Sequence, residues 1–192
     1  IGLKAGQQMR GRDLLTAALL SSANDATVVL AERIAGSEEL FAHLMNKKAF
    51  VLGAVSTTFK NSNGLPAEGH LSTCHDLFLI SRAALQKPFF AETVAMTEAY
   101  IDHPGYPQGK LVKNTNHLLT TYPGARGVKT GTTDSAGKCL VGLAERKGRQ
   151  LVTVVLRAGD RYSATRALLD YGFEDLSPTR VIDKDKPFKY LR

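Results

Sequence analysis

Several residue types are scarce in this chain of 192 residues, which has no tryptophan, two cysteines and three methionines. The two thiols, Cys74 and Cys139, cannot build the disulfide network of a small secreted scaffold or a four-cysteine zinc site, and we expect both to be free. No apolar run approaches the roughly 18 residues that a membrane-spanning helix requires. With 43% hydrophobic residues, the chain instead has the composition of a globular domain.

Acidic residues are also in the minority, because 18 aspartates and glutamates face 25 lysines and arginines, which gives a formal net charge of +7. The basic residues form no stripe, and no aromatic pattern of the RNA-binding kind is interleaved with them. We therefore expect solvated surface charge and no nucleic-acid partner, with attraction to an anionic polymer as the alternative. The sequence has no His-Glu-x-x-His motif and no phosphate-binding loop, so it predicts no metal and no cofactor.

The order of the predicted elements indicates an α+β fold. Alanine- and leucine-rich segments predict helices over residues 13–20, 26–35, 38–52 and 74–86, with a short helix after Pro88. Gly36 is placed to end the second helix in a left-handed conformation, and Thr73 to cap the fourth. The segment 100–122 is predicted to be mixed, with extended pieces on either side of its prolines and glycines. The last third predicts strands over 127–132, 139–145 and 150–157, a helix over 165–172 and an extended segment over 173–192.

Two short motifs lie where turns meet these elements. Ser22-Ala23-Asn24 falls in the break between the first two helices, and Lys129-Thr130-Gly131 falls in the first of the three strands. Each is weak alone, because Ser-x-Asn commonly caps a helix and Lys-Thr-Gly occurs by chance. In this order, about a hundred residues apart, they resemble the second and third motifs of the penicillin-binding proteins and class A β-lactamases.

The residues around both motifs sharpen this resemblance. From about residue 3 to residue 173 the chain is similar to the low-molecular-mass serine D-alanyl-D-alanine carboxypeptidases. The matching segments are 22–26, 57–65, 72–73, 127–133, 136–137 and 168–173. The resemblance implies the fold shared by β-lactamases and penicillin-binding transpeptidases, a helical region beside an antiparallel sheet. It also implies export to the bacterial periplasm or to the outer face of the cytoplasmic membrane.

The resemblance implies three catalytic residues for the removal of a terminal D-alanine from peptidoglycan stem peptides through an acyl-enzyme. Ser22 would relay a proton between the active site and the leaving amine. Asn24 would bind the substrate's amide carbonyl through its side-chain amide and help to orient the base. Lys129 would place a positive charge beside the site, which lowers the cost of anionic species there.

It further implies a set of substrate-binding residues along the strand that carries the third motif. Thr130, followed by Gly131, would bind the terminal carboxylate, and the backbone N–H of Thr132 would form half of the oxyanion hole. Arg161 aligns with an arginine that helps to hold the same carboxylate in related carboxypeptidases, and an arginine suits that task because its fork offers two bonds. A surface residue near the start of the last helix is the competing interpretation of Arg161.

The family's first motif, a Ser-x-x-Lys that provides the nucleophile and its base, has no counterpart upstream of Ser22. The only formal match, Ser135-Ala136-Gly137-Lys138, lies where the family turns between two strands, and residues three apart in a strand point to opposite faces. We interpret it as fortuitous. The nucleophile is therefore expected on an N-terminal segment missing from this chain. Without that segment, the helix around residues 14–20 is expected to expose an apolar patch.

These considerations predict an N-terminally incomplete carboxypeptidase domain over residues 1–176 and a C-terminal extension over residues 177–192. Two functions remain open. One is a serine-type carboxypeptidase acting on stem peptides that end in D-Ala-D-Ala, inhibited by β-lactam antibiotics and completed by a separate N-terminal fragment. The other is a non-catalytic module that binds peptidoglycan or a partner through a groove at Ser22, Asn24 and Lys129. A β-lactamase is disfavoured, because no residue clearly provides a deacylating acid.

Overall fold

Helices dominate the first half of the chain and strands the second, which confirms the predicted α+β arrangement. The computed structural model describes residues 1–177. Their elements in chain order are α1 (Gly11–Ser21), α2 (Asn24–Ala35), α3 (Glu38–Val51), α4 (Cys74–Leu85), α5 (Pro88–Val94), β1 (Glu98–His103), β2 (Tyr106–Lys113), α6 (Leu118–Thr121), β3 (Ala125–Thr133), β4 (Gly137–Arg146), β5 (Arg149–Ala158) and α7 (Arg161–Glu174). None of the described helices is both long enough and apolar enough to cross a membrane.

The helix boundaries follow the local sequence signals. Gly36 ends α2 with a φ of 84°, as predicted for a left-handed terminator. The Thr73 side chain accepts the N–H of Asp76 at the start of α4, and the Ser37 side chain accepts that of Leu40 at the start of α3. Each of these bonds satisfies a backbone donor that the first turn of a helix leaves free.

The last helix differs from the prediction at both ends. It begins at Arg161 rather than at residue 165, because the Asp160 carboxylate accepts the N–H groups of Tyr162 and Ser163 and so caps an earlier first turn. It continues to Glu174, so the prediction that the chain is extended from residue 173 is wrong at its start. Apart from Ser177, the predicted extension over residues 177–192 lies outside the described residues.

The mixed segment contains a regular feature that the sequence did not predict, the antiparallel hairpin of β1 and β2. The register shifts between Ile101 and His103, which leaves Pro107 and Gly109 in a bulge of β2. Gly109 has a φ of 82°, a conformation that glycine adopts without strain. The hairpin therefore accommodates both residues at the one place where the ladder is interrupted.

The three remaining strands form an antiparallel sheet in the order β3-β4-β5, with helices on both faces. On one face, Ala144 packs with Leu118 of α6 and Leu169 of α7. On the other, Val128 and Leu143 pack with Val94 of α5. These contacts hold β3, which carries the third motif, at one edge of a sheet that is covered on both sides.

Helix α1 is buried rather than exposed, so the expectation of an apolar patch on residues 14–20 is wrong. Leu14 and Leu20 pack against Ile101 and Val112 of the hairpin, and Leu20 has no accessible surface. The hairpin thus provides the apolar neighbour that we expected to be missing. Large exposed apolar side chains occur instead on α2, α3 and the segment after α3, and they include Ile34, Phe50, Val51 and Val55.

Candidate active site

The second motif forms the tight connection between α1 and α2. Ser22 has a φ of 55° in the left-handed region and its N–H bonds to the carbonyl of Ala17, which turns the chain sharply after α1. Ala23 is buried, whereas the Ser22 side chain is exposed. Ser22 occupies a conformation that helix ends usually give to glycine, and such strain in a residue other than glycine is typical of functional positions.

The third motif reaches this turn through its lysine. Lys129 extends from β3 and its Nζ donates a hydrogen bond to Ser22 Oγ, which joins two residues 107 positions apart in the sequence. Nζ also donates to the carbonyl of Thr130, at 3.2 Å. Burial, with a further contribution from the positive charge of Arg161, lowers the pKa of Lys129 from 10.5 to about 8. The structure therefore brings Ser22 and Lys129 together, so that a lysine with a lowered pKa extends from β3 to the turn between α1 and α2.

Arg161, the first residue of α7, connects the helix to two strands. Its Nη1 donates to the carbonyl of Gly131 at 2.8 Å and to that of Cys139 at 3.0 Å, residues that pair across β3 and β4. Its Nε is buried and has no partner within residues 1–177. The side chain is thus not a free surface group, and it holds a second positive charge close enough to Lys129 to lower that lysine's pKa.

Thr130 has a partner that sequence reasoning missed. Its Oγ1 lies 2.6 Å from Oγ1 of Thr115, in the segment between β2 and α6. The Thr115 backbone is held on both sides, because its N–H donates to the carbonyl of Leu20 and its carbonyl accepts the hydroxyl of Tyr162. An Asn-Thr-Asn triplet reads as an ordinary turn, so the sequence carried no signal for this contact.

Two predicted site residues are placed near these groups without a side-chain contact to them. Asn24 begins α2 and is exposed, and within the described part of the chain its side-chain amide has no hydrogen-bond partner. Thr132 is exposed on β3 and pairs with Lys138 of β4. A cavity of about 640 Å³ opens beside the turn, lined by residues 21–25 and by residues 110–113 of β2.

Three further features considered in the sequence are the Ser135–Lys138 match, the two cysteines and possible metal ligands. Ser135 lies in the turn between β3 and β4, and Lys138 lies in β4, so the formal Ser-x-x-Lys match is not on a helix. Both Cys74 and Cys139 are free thiols, as predicted. In residues 1–177 no group of three or more histidine, cysteine, aspartate or glutamate side chains is arranged to hold a metal ion.

The arrangement is suited to binding a carboxylate and moving a proton. Lys129 and Arg161 concentrate positive charge at the edge of the sheet, and Thr130 adds a hydroxyl donor beside them. The Lys129–Ser22 hydrogen bond provides a route for a proton from the strand to the turn. A helical region against an antiparallel sheet, with these two motifs meeting at its edge strand, defines the class of penicillin-binding proteins and β-lactamases.

Comparison with known proteins narrows this class. A sequence profile of the D-alanyl-D-alanine carboxypeptidases, peptidase family S11, matches residues 1–160. The chain is 37% identical to the D-alanyl-D-alanine carboxypeptidase DacF of Bacillus subtilis, over 90% of this chain and 45% of that protein. It is 40% identical to the D-alanyl-D-alanine carboxypeptidase DacB2 of Mycobacterium tuberculosis, over 90% of this chain and 61% of that protein. The chain belongs to this carboxypeptidase family, and it spans about half of these relatives' length.

Solved structures agree with the sequence comparison. A D-alanyl-D-alanine carboxypeptidase from Mycobacterium tuberculosis superimposes with a TM-score of 0.85 at 37% identity, over 93% of this chain and 69% of that one. Penicillin-binding protein D2 from Listeria monocytogenes, in its ampicillin-bound form, superimposes with a TM-score of 0.77 at 38% identity, over 85% of this chain and 67% of that one. The predicted fold is therefore confirmed.

Proposed function

We propose that this chain forms the substrate-binding part of a serine-type D-alanyl-D-alanine carboxypeptidase that removes the terminal D-alanine from peptidoglycan stem peptides. The observation that carries the proposal is the hydrogen bond from Lys129 to Ser22, made between motifs 107 residues apart. Membership of the carboxypeptidase family supports the same assignment. The nucleophile and its base come from a Ser-x-x-Lys segment outside this sequence.

In this proposal, the substrate is bound chiefly through the negative charge of its terminal carboxylate. The terminal carboxylate of the stem peptide binds beside Thr130 and Arg161, where a hydroxyl and a guanidinium provide donors. The guanidinium already donates to the carbonyls of Gly131 and Cys139, so its position relative to β3 is fixed before substrate arrives. Lys129 adds a second positive charge next to these donors. A fixed set of donors binds an anion without the cost of reorganising the site.

Proton transfer uses the contact between the motifs. The base of the Ser-x-x-Lys segment takes the hydroxyl proton of the nucleophilic serine as its oxygen bonds to the carbonyl carbon of the penultimate D-alanine. The C–N bond breaks, and the departing amine of the terminal D-alanine requires a proton. Ser22 gives its hydroxyl proton to that amine and takes one from Lys129. With its pKa lowered to about 8, Lys129 releases a proton more readily than an ordinary lysine at neutral pH. Water then hydrolyses the ester: its oxygen bonds to the acyl carbon as the serine C–O bond breaks, one of its protons returns to the serine oxygen, and the other leaves with the carboxylic acid product. The proton held by the base passes back through Ser22 to Lys129, which restores the starting state.

The same proposal extends to the location of the enzyme, its inhibitors and the source of its nucleophile. The substrate is cell-wall peptidoglycan, so the working protein is exported to the periplasm or the outer face of the cytoplasmic membrane. β-Lactam antibiotics bind as inhibitors, a view supported by the ampicillin-bound relative from Listeria monocytogenes. The nucleophile segment is either an N-terminal part of the same polypeptide or a separate fragment packed against this one.

A second candidate is a binding module that retains the groove and carries out no hydrolysis. It is favoured by one observation, namely that the donors Lys129, Thr130 and Arg161 are held in place by hydrogen bonds within residues 1–177 and need no nucleophile for their position. Such a module would bind stem peptides, or a protein partner, through the same donors.

Intact-mass measurement separates the two candidates. The 192-residue chain and the full product of its gene are each incubated with excess benzylpenicillin and, separately, with a peptide ending in D-Ala-D-Ala. We expect the full product to gain the mass of one penicillin and to release D-alanine, and the chain alone to gain no mass. A full product that binds the peptide without adduct or release supports the binding module. An adduct on the chain alone contradicts our placement of the nucleophile, and failure of both proteins to bind the peptide contradicts both candidates.

A further inference from the structure

The segment between β2 and α6 is unusually well fixed for a connection. Asn114 donates through its side-chain amide to the carbonyls of Val94 and Met96, and its side-chain oxygen accepts the N–H of Asn116. Asn116 is 2% exposed and accepts the N–H of Leu118 through its side chain. Thr115 lies between these two asparagines, so its backbone is anchored from both sides.

Thr115 is also the residue at which three parts of the site meet. Its N–H donates to the carbonyl of Leu20, two residues before Ser22, at 3.0 Å. Its carbonyl accepts the hydroxyl of Tyr162, which follows Arg161, at 3.2 Å. Its own hydroxyl lies 2.6 Å from that of Thr130. One exposed threonine thus connects the end of α1, the start of α7 and the third motif on β3.

We propose that Thr115 is a positioning residue, whose hydroxyl donates to Thr130 Oγ1 and so directs the Thr130 hydrogen outward toward an anionic ligand. The inference rests on the proposed function, in which that ligand is the terminal carboxylate of a peptide. Two hydroxyls in contact share one of their two hydrogens, and an anion beside Thr130 favours the arrangement in which Thr115 provides the shared one. Accepting that bond polarises the Thr130 O–H and makes it a stronger donor.

Binding measurements on the 192-residue chain test this role. The probes are a diacetyl-L-Lys-D-Ala-D-Ala peptide and the same peptide with its C-terminus amidated. Thr115→Val keeps the shape of the side chain and removes its hydroxyl. We expect it to weaken binding of the acid by about three- to tenfold, the effect of one hydrogen bond, and to leave binding of the amide unchanged. Thr115→Ser restores the hydroxyl and is expected to restore binding.

Two further variants make the test specific. Thr120→Val removes an exposed threonine hydroxyl in α6 that bonds to the carbonyl of His117 rather than to the site, and it is expected to bind both peptides as the wild type does. Thr130→Val is expected to weaken binding of the acid, and adding Thr115→Val to it should cause no further loss, because Thr115 acts through Thr130. Additive losses, equal losses for acid and amide, or unchanged binding in Thr115→Val would each overturn the inference.

A ligand-free measurement separates failure of this inference from failure of the proposed function. Three-bond NMR couplings report whether the Thr130 side chain keeps one χ1 rotamer. We expect one rotamer in the wild type and averaging in Thr115→Val; an unchanged rotamer overturns the positioning role whatever the peptides do. If the wild type binds acid and amide equally, the proposed carboxylate site is wrong, and the rotamer measurement still decides whether Thr115 positions Thr130.

Discussion

Lys129 loses much of its contact with water on folding, and its pKa falls from 10.5 to about 8. The unfolded chain therefore holds this proton more tightly than the folded one between these two pH values. The resulting loss of stability is fully present below about pH 8 and is relieved as the pH rises toward 10.5. The buried, charged Lys129 therefore lowers the free energy of unfolding at neutral pH, whatever its role in the site.

We predict that Lys129→Met is more stable than the wild type at pH 7, by up to about 3 kcal/mol, and that the difference shrinks as the pH approaches 10. Urea unfolding at both pH values measures it. Lys138→Met, which removes an exposed lysine on the neighbouring strand, is the control and should show no such trend. A difference between Lys129→Met and wild type that is the same at both pH values would contradict the prediction.

Arg157 carries a different kind of strain, because it has a φ of 50° next to the irregular register between β4 and β5. A side chain with a Cβ costs about 1–2 kcal/mol in this region, whereas glycine does not. We expect Arg157→Gly to raise the free energy of unfolding by about 0.5–1 kcal/mol, after the entropy of the unfolded glycine is allowed for. Arg157→Ala deletes the same functional group but keeps the Cβ, so it should bring no gain; equal gains in both variants would refute the conformational explanation.

Site residues that belong to a recognisable motif could be predicted from the sequence, whereas those outside a motif could not. It predicted that Ser22 and Lys129 belong to one site, and the structure places them in hydrogen-bond contact. It could not predict Thr115, because a threonine between two asparagines has no distinctive pattern and its partner is 15 residues away on another element. The backbone bonds of Arg161 were equally invisible, since carbonyl acceptors are present at every residue.

Among the elements, α7 and β4 approach unusually closely where β4 has a glycine. A Cβ built on Gly142 would lie 2.8 Å from both Thr153 Oγ1 and Thr165 Cγ2, and neither atom is at the end of a flexible side chain. We predict that Gly142→Ala pushes α7 from the sheet and lowers the free energy of unfolding by about 1–3 kcal/mol. Gly159→Ala, at a position with no atom within 4 Å, should change it little. Thermal unfolding of the two variants decides the matter, and equal melting temperatures would show that the sheet and helix separate freely.

Element by element, the sequence predicted what local signals determine. The strands β3, β4 and β5 lie within two residues of their predicted bounds, because apolar runs and turn residues mark both ends. The extended pieces predicted on either side of the prolines and glycines of segment 100–122 include strands β1 and β2. Their pairing in one hairpin was missed, because Pro107 and Gly109 argue against a regular strand. Only the bulge, a property of the pairing between two strands, makes them acceptable there.

For the molecule as a whole, α1 is the element that packs against both the β1–β2 hairpin and the core beside the three-stranded sheet. It packs against the hairpin through Leu20 and against the sheet side of the core through Leu19. We expect Leu20→Ala to destabilise the chain by about 2–5 kcal/mol in a single cooperative transition, because it leaves a cavity where helix and hairpin meet. Leu40→Ala, at a side chain that is 55% exposed, is the control and should cost well under 1 kcal/mol. Loss of the hairpin alone, seen as two separate transitions, would contradict this view.

The burial of α1 also shows why whole-molecule features escaped prediction. An apolar pattern predicts that a helix is packed against another segment, but it does not identify that segment. The neighbour proved to be the hairpin of residues 98–113, whose own pattern was obscured by its bulge. Tertiary packing here joins segments that are far apart, and no local signal encodes that pairing.

The 107-residue separation of Ser22 and Lys129 has a consequence for the order of events in folding. Contacts that close long loops form late, after nearby helices and hairpins have assembled. The two halves of the site are therefore expected to meet after the transition state for folding. A ligand that needs both halves would then slow the rate of unfolding and leave the rate of folding unchanged. Such a ligand would lengthen the lifetime of the folded protein without helping the chain to fold.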